Sequence, residues 1–191
     1  MNTKMIEVFD DFITSDTQRI LEVNSKFGEE IMELADAYPK VQWYPTGTSS
    51  HLKTLSGNIA EAAISNLQKP VRLEVGKDEL PKLKFEIIFT HNTFHQMSWK
   101  ECKSLMKMLA GRLREGTHVF ITGPFKLNGA FKTPEHEALD RAVKEKDPLK
   151  GVRSFEDVNN VMTKNGFELE LELETDNHEL MLVYKRLRFV P

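Results

Sequence analysis

The sequence predicts an α/β fold built on a mostly parallel sheet with helices on both faces. Short apolar runs alternate with stretches of helical periodicity along the first two-thirds of the chain. The apolar runs are nearly continuous, as expected for strands that are buried on both faces. A length of 191 residues, with 40% hydrophobic and 29% charged side chains, favours a single globular domain spanning residues 1–191.

Five strands and the helices between them account for the first part of the chain. Apolar residues at helical spacing predict helices that begin near Phe27, Leu52 and Trp99. Pro39 ends the first of these helices, and Ser98 is a suitable N-cap for the third. The predicted strands cover residues 19–23, 41–44, 70–75, 85–90 and 117–122.

The alternation stops at residues 123–153, which contain several Gly and Pro residues and one short predicted helix around 135–146. We interpret this segment as a lid-like insertion over the carboxyl ends of the strands. Its phenylalanines, Phe125 and Phe131, either form apolar walls for a small ligand or anchor a long loop, and the sequence leaves both alternatives open.

The chain ends with one more helix and a predicted antiparallel hairpin. Ser154 can cap that helix. Residues 167–174 alternate with a period of two and place four glutamates on one face, which is typical of an edge strand. Residues 180–184 are apolar throughout and predict an interior strand. The terminal segment 185–188 is interpreted as a solvated tail.

Composition and charge exclude several classes of function. The formal net charge is −3, so there is no overall positive field for nucleic acid. No run approaches the ~20 apolar residues that span a bilayer, and we expect a cytoplasmic protein without a membrane segment. Cys102 is the single cysteine, which fits a reducing compartment and excludes an internal disulfide.

Five strands of βα type followed by a hairpin whose last strand is buried is the arrangement of the class I methyltransferase sheet, with order 3-2-1-4-5-7-6 and strand seven antiparallel. The chain resembles, more specifically, the small methyltransferase-like proteins once grouped as a domain of unknown function, which include methyltransferase-like 26. The most specific matches are Asn-Thr-x-His-x-Met-Ser-Trp at 92–99 and Gly-Pro-Phe at 123–125. Further matching stretches are 20–23, 41–45, 146–148 and 152–156.

The resemblance implies an S-adenosylmethionine site at the turn after strand one. The family pattern there is Glu-x-Gly-Ser-Gly-x-Gly, and it assigns Glu22, Asn24, Ser25 and Gly28 to cofactor binding. Asn24 and Lys26 stand where the pattern has glycines. Asn tolerates a left-handed backbone, but Lys26 brings a positive charge toward a cationic sulfonium, which opposes ordinary binding.

Two acidic positions of the family pattern lie after strands two and three. Gly47 replaces the acid that accepts the ribose hydroxyls. Thr46 and its polar neighbours could make single hydrogen bonds to a ligand or cap the next helix. Glu74, followed by Val75, matches the acid near the adenine. For Glu22 and Glu74 a structural role in pairing backbone amides also stays open.

The candidate catalytic residues follow strand four, at the end of the sheet where the ligand cleft of such a fold lies. We predict that His95 acts as a base or orients the acceptor, together with Asn92, because methyl transfer needs an aligned acceptor and removal of its proton. A helix-capping or packed histidine is the alternative for His95. His91 and His95 are four residues apart, but the motif has no third ligand, so no metal is predicted.

Three functions remain open from the sequence. The first is an S-adenosylmethionine-dependent methyltransferase that acts on a small-molecule acceptor with an atypical cofactor site. The second is a catalytically inactive pseudo-methyltransferase that serves as a binding or regulatory subunit for a protein partner. The third uses Lys26 to hold an anion at the N-terminus of the following helix.

Overall fold

The structure is a computed structural model that describes residues 3–188. The chain forms two compact units, Met1–His91 and Asn92–Pro191. Within the described residues, no helix is both long enough and apolar enough to cross a membrane.

The first unit contains four parallel strands in the order β3-β2-β1-β4. The register places Ile20 of β1 between Trp43 of β2 and Ile87 of β4, and all three side chains are buried. The strands are β1 (Arg19–Glu22), β2 (Gln42–Gly47), β3 (Val71–Arg72) and β4 (Ile87–His91), and the helices are α1 (Thr3–Phe12), α2 (Glu29–Ala37) and α3 (Leu52–Ala62).

Two elements of the first unit differ from the prediction. The sequence did not predict α1, because acidic residues interrupt its apolar pattern. Met5, Val8 and Phe9 of this helix are nevertheless buried, and the Phe9 ring lies 5.3 Å from Phe89 between centroids. The third strand, predicted over 70–75, is formed only at Val71–Arg72, where both residues are exposed.

The second unit contains an antiparallel group of three strands and a separate small sheet. Strand β9 pairs antiparallel with both β5 and β8, as the hairpin prediction requires. Strands β6 and β7 pair in parallel in their own two-stranded sheet. The strands are β5 (His118–Gly123), β6 (Phe125–Lys126), β7 (Arg153–Ser154), β8 (Phe167–Glu174) and β9 (Leu180–Arg186), and the helices are α4 (Trp99–Arg112), α5 (Pro134–Lys146), α6 (Phe155–Lys164) and the 3-10 helix Phe94–Gln96.

The main sheet has seven strands in the order β3-β2-β1-β4-β5-β9-β8. This confirms the predicted α/β class and mostly parallel sheet with an antiparallel seventh strand. The last two strands carry the numbers 9 and 8 instead of 7 and 6 because β6 and β7 precede them in the chain. The glutamate-rich strand β8 lies at the edge, where its charged side chains reach solvent.

The insertion between β5 and α6 is tied to the rest of the second unit at several points. Asp140 of α5 is buried, and its Oδ1 accepts a hydrogen bond of 2.7 Å from the Val152 backbone. Phe125 is fully buried and lies 6.3 Å from the Phe94 ring, which makes it an anchor. The Phe131 ring is only partly covered, and the Lys126 ammonium lies 4.5 Å from its centroid.

The terminal segment 185–188 is not simply a solvated tail, because β9 extends to Arg186. The Arg186 side chain is buried and donates to the carbonyls of Asn165, Gly166 and Ala110 at 3.0, 2.7 and 3.1 Å. It therefore joins the end of α4 to the turn before β8.

Candidate functional site

The turn between β1 and α2 keeps a glycine-like backbone although two of its glycines are replaced. Asn24, Lys26 and Gly28 have φ angles of 61°, 52° and 89°, all in the left-handed region. A lysine in this conformation costs about 1–2 kcal/mol. The fold therefore holds residue 26 in an unfavourable conformation, and such outliers cluster at ligand sites.

Hydrogen bonds to the end of β2 hold this turn in place. The Thr46 hydroxyl accepts from the Asn24 backbone at 3.1 Å and donates to the Glu22 carbonyl at 2.8 Å. The Ser25 backbone donates to the Thr46 carbonyl at 2.7 Å, and the Ser25 hydroxyl accepts from the Thr46 backbone at 3.3 Å. Both side chains are buried, so Thr46 and Ser25 fix the turn to the neighbouring strand.

Two buried oxygens at this turn have no hydrogen-bond partner within residues 3–188. Glu22 Oε2 and Asn24 Oδ1 accept no hydrogen bond from the part of the chain that the structure describes. Burial raises the pKa of the Glu22 carboxyl to about 8, although a hydrogen bond with Ser25 opposes the shift, and the charge of Glu30 adds to it. Glu22 therefore holds its proton at neutral pH. An unsatisfied buried polar group costs roughly 1–3 kcal/mol, so these two oxygens destabilise the turn unless they gain a donor.

Strand β2 ends at Gly47 and therefore carries no acidic side chain of its own at its carboxyl end. A Cβ at Gly47 would lie 3.1 Å from Leu55 Cδ2, and a Cβ at Gly28 would lie 3.0 Å from Leu55 Cδ1. Leu55 of α3 is fully buried. A side chain at either position would therefore press on the end of the Leu55 side chain, a packing constraint that is independent of any ligand.

Glu74, just after β3, brings a carboxylate to this end of β2. Its Oε1 accepts from the Ser49 backbone at 2.7 Å, and its own backbone N–H donates to Asp78 at 2.8 Å. The Ser49 hydrogen bonds lower the pKa of Glu74, so this half-buried group is ionised. Val75 follows in the turn and is also half-buried. A carboxylate has about four lone-pair sites, so the contact with Ser49 leaves capacity for a ligand.

His91 belongs to an ion pair that the sequence did not predict. Its Nδ1 lies 2.7 Å from Glu30 Oε1 of α2. Burial alone would raise the pKa of Glu30, but the hydrogen bond and charge of His91 lower it below its ordinary value. Among residues 3–188, no group of three His, Cys, Asp or Glu side chains is arranged to hold a metal ion.

In the second unit, Asn92 directly follows β4 and is firmly positioned. It has a φ of 53°, its backbone N–H donates to Thr122 at 2.8 Å, and its Nδ2 donates to Glu179 Oε1 at 2.9 Å. Gly123 lies against it, since a Cβ there would be 3.4 Å from Asn92 Oδ1. The sequence did not indicate Glu179, because it lies 87 positions away in the β8–β9 hairpin.

His95 is buried in the 3-10 helix, and its carbonyl accepts from Gly151 at 3.0 Å. It does not cap α4, because Ser98 and Glu101 form a reciprocal capping box with distances of 3.2 and 2.7 Å. The capping alternative for His95 is therefore wrong, and the N-cap prediction for Ser98 is confirmed.

A second buried histidine, His136, was not predicted. It lies in the first turn of α5, where its backbone N–H donates to the Thr133 hydroxyl at 3.2 Å. Its Nδ1 is buried and has no partner among the described residues. Burial lowers the pKa of His136, although the charge of Glu179 opposes the shift. A single histidine in a polar helix gives no sequence pattern that would have identified it.

The structure thus brings four predicted residues together at the turn between β1 and α2 of the first unit: Glu22, Asn24, Ser25 and Gly28. Glu74 follows β3 and contacts Ser49, which follows β2. The predicted catalytic pair lies at the start of the second unit. Asn92 contacts Glu179 there, and His95 lies in the 3-10 helix.

A family of proteins of unknown function, DUF938, matches residues 2–186. The chain is also similar in structure to solved methyltransferases, three of which follow. The S-adenosylmethionine-dependent methyltransferase SibL in its apo form is 17% identical, with a TM-score of 0.75 over 93% of this chain and 52% of that chain. An O-methyltransferase family 2 protein from Planctomyces limnophilus, in complex with apigenin, is 15% identical, with a TM-score of 0.77 over 92% of this chain and 53% of that chain.

The third, human N-acetylserotonin methyltransferase in complex with SAM, is 12% identical, with a TM-score of 0.78 over 97% of this chain and 52% of that chain. The chain therefore spans about half the length of the solved structures that it matches. At these identities the likeness shows the fold, which is that of S-adenosylmethionine-dependent methyltransferases.

Proposed function

The chain belongs to the DUF938 family of proteins of unknown function, and from this premise we propose that it is an S-adenosylmethionine-dependent methyltransferase that acts on a small molecule. The observation that carries the proposal is the turn after β1. It retains three left-handed residues and has two buried oxygens, on Glu22 and Asn24, that find no hydrogen-bond partner among the residues the structure describes.

The residues at this turn fit the amino-acid end of the cofactor. The cofactor's α-ammonium group would supply donors for Glu22 Oε2 and Asn24 Oδ1, and it would favour the ionised form of Glu22. Ser25 and Gly28 shape the backbone around that group. Bound S-adenosylmethionine supplies a methyl group activated by a sulfonium sulfur.

The nucleoside end fits less well, which makes the site atypical. Gly47 offers no carboxylate for the ribose, so the charged Glu74 is the acidic side chain left for the nucleoside, with Val75 beside it. We assign Asn92 to orientation of the acceptor and His95 to removal of its proton, because both follow β4 and methyl transfer needs these two roles. Both assignments are part of the proposal.

A catalytically inactive scaffold that binds a protein partner is the second candidate, and two observations favour it. Lys26 holds a positive charge at a glycine position of the turn. A Cβ at Gly47 would lie 3.1 Å from Leu55 Cδ2, so an acid at this position requires the Leu55 side chain to shift.

Calorimetric titration with S-adenosylmethionine and with S-adenosylhomocysteine, each up to near-millimolar concentration, separates the two candidates. A dissociation constant below roughly 100 μM, or about −5.5 kcal/mol, supports the methyltransferase. Glu22→Gln should then weaken binding, while Glu61→Gln, at an exposed position on α3, should leave it unchanged. Absence of both heat and thermal stabilisation with either ligand would refute cofactor binding and favour the scaffold.

A further inference from the structure

A cavity of about 330 Å³ lies in the second unit, where the insertion meets the first turns of α4 and α6. This volume is at the lower end of the range found for small-molecule sites. The proposed function assigns no role to this cavity. We call it the insertion pocket, and its lining includes Trp99, Lys126, Lys144, Val152, Arg153 and Asp157.

Two cations of the insertion pocket have no carboxylate partner. The Arg153 side chain is half-buried, and its Nη2 donates to two carbonyls, those of Met97 and, at 2.9 Å, Leu149. The Lys126 ammonium lies 4.5 Å from the centroid of the Phe131 ring. Within residues 3–188, neither cation forms an ion pair. Carbonyl and ring contacts do not neutralise a charge, so both residues leave a positive charge beside the pocket.

The other two charged side chains of the pocket offset this positive charge only in part. Lys144 Nζ lies 2.6 Å from Asp140 Oδ2, so these two charges cancel each other. Asp157 forms no ion pair in the described part of the chain and contributes one negative charge. It lies in the first turn of α6, where the N-terminal end of the helix partly offsets that charge. Two unpaired cations against one carboxylate leave a single net positive charge, which matches a monoanion better than a dianion.

The uncharged part of the lining indicates what accompanies the anionic group. Trp99, the first residue of α4, is half-buried, and Val152 is 5% exposed. An indole offers a flat apolar surface against which another aromatic ring packs. Ser154 also lines the pocket, but its hydroxyl already donates to Glu156 at 2.6 Å. Recognition therefore depends on the charges and on the apolar wall.

We propose that the insertion pocket binds a small monoanion with an aromatic ring, of the aryl carboxylate class. Its carboxylate lies toward Lys126 and Arg153, and its ring packs against Trp99 and Val152. The inference goes beyond the proposed function, because it adds a ligand site whether or not the turn after β1 binds S-adenosylmethionine.

Two probes of nearly equal shape test the proposal: benzoate and its neutral analogue benzamide, titrated by calorimetry without any cofactor. We expect benzoate to bind several-fold more tightly, with a preference that falls as the salt concentration rises. Because Trp99 lines the pocket, its fluorescence should change on binding, and Trp99→Phe should remove that change. The second tryptophan, Trp43, is fully buried in the first unit.

Variants of the charged side chains should shift the preference for benzoate in opposite directions. Lys126→Met keeps an unbranched side chain without the charge and should remove most of the preference. Asp157→Asn removes the negative charge and should strengthen benzoate binding. Two exposed control positions outside the pocket lining, Lys107→Met and Glu115→Gln, make the same changes of charge and should bind benzoate as wild type does.

Equal binding of benzoate and benzamide would overturn the proposal. A preference for benzoate that neither Lys126→Met nor Asp157→Asn alters would overturn it too, since the carboxylate would then bind elsewhere. Tighter binding of phenyl phosphate, which is mainly a dianion at neutral pH, would contradict the single net charge. Tighter binding of benzylamine would show that Asp157 makes the pocket a cation site. None of these titrations contains S-adenosylmethionine, so failure of the insertion pocket is distinct from failure of the proposed function.

Discussion

Replacing Glu22 with glutamine should change how the stability of the protein depends on pH. Glu22 is 1% exposed at the end of β1 and has a pKa of about 8 in the folded state, against an ordinary value of 4.5. Between these two pH values the unfolded chain loses the proton while the folded chain keeps it. The free energy of unfolding therefore falls as pH rises through this window.

The magnitude follows from the difference between the two pKa values. A difference of about 3.5, at about 1.36 kcal/mol for each unit, amounts to about 5 kcal/mol between pH 4.5 and 8. Glutamine has nearly the same shape and does not ionise. Glu22→Gln should thus remove most of this loss, so that the stability of the variant relative to wild type improves by several kcal/mol from pH 5 to pH 8.5.

Urea denaturation followed by circular dichroism from pH 5 to pH 9 measures the effect. Glu61→Gln makes the same change of charge at an exposed position and should retain the wild-type pH dependence. If Glu22→Gln and wild type had parallel stability curves over this range, Glu22 would be ionised in the folded state, and the reasoning from burial would be wrong.

Four further predictions follow from the same residues and contacts. Binding of S-adenosylmethionine at pH 7 should release up to one proton from Glu22, so titration heats should differ between buffers of different ionisation enthalpy, but not in Glu22→Gln. Lys26→Gly should raise stability in thermal melts by about 1 kcal/mol, because it relieves a left-handed backbone, and Lys26→Ala should not. Gly47→Asp should lower the free energy of unfolding by about 1–3 kcal/mol, because the new side chain overpacks against Leu55 of α3, and an unchanged melting temperature would contradict this. In urea denaturation, Arg186→Met should cost about 3 kcal/mol or more because three carbonyls lose their donor, while Arg188→Met at an exposed position should cost little.

The fold could be predicted because its determinants are local patterns. Each buried strand is a short apolar run, and α2, α4 and α6 have apolar residues at helical spacing. Ser98, Thr133 and Ser154 cap their helices through hydrogen bonds to residues three positions along the chain. The period of two in β8 is also a local pattern, and it predicted the edge strand that the structure shows. The exceptions are α1, whose acidic residues obscure a buried face, β3, which forms only at Val71–Arg72, and the small sheet of β6 and β7, which the sequence did not predict.

The motif located the candidate cofactor turn, but the backbone conformation, protonation and packing of that turn became known only from the tertiary structure. The sequence identified Asn24 and Lys26 as replacements for glycine, and the structure shows that both keep a left-handed backbone. Burial of Glu22, which sets its protonation, results from packing by distant elements. The contact of Leu55 with Gly28 and Gly47 likewise depends on how α3 lies against two turns.

The sequence by itself determined the alternation of the main-sheet strands with α2 to α6, the family resemblance and the residues of the turn after β1, because these depend on neighbouring residues in the chain. Only the tertiary structure decided which polar atoms are buried without partners and which charges are neighbours. Glu30 meets His91 across 61 positions, and Asn92 meets Glu179 across 87. Hydrogen bonds and desolvation act over a few ångströms in space, and separation along the sequence does not reveal such distances.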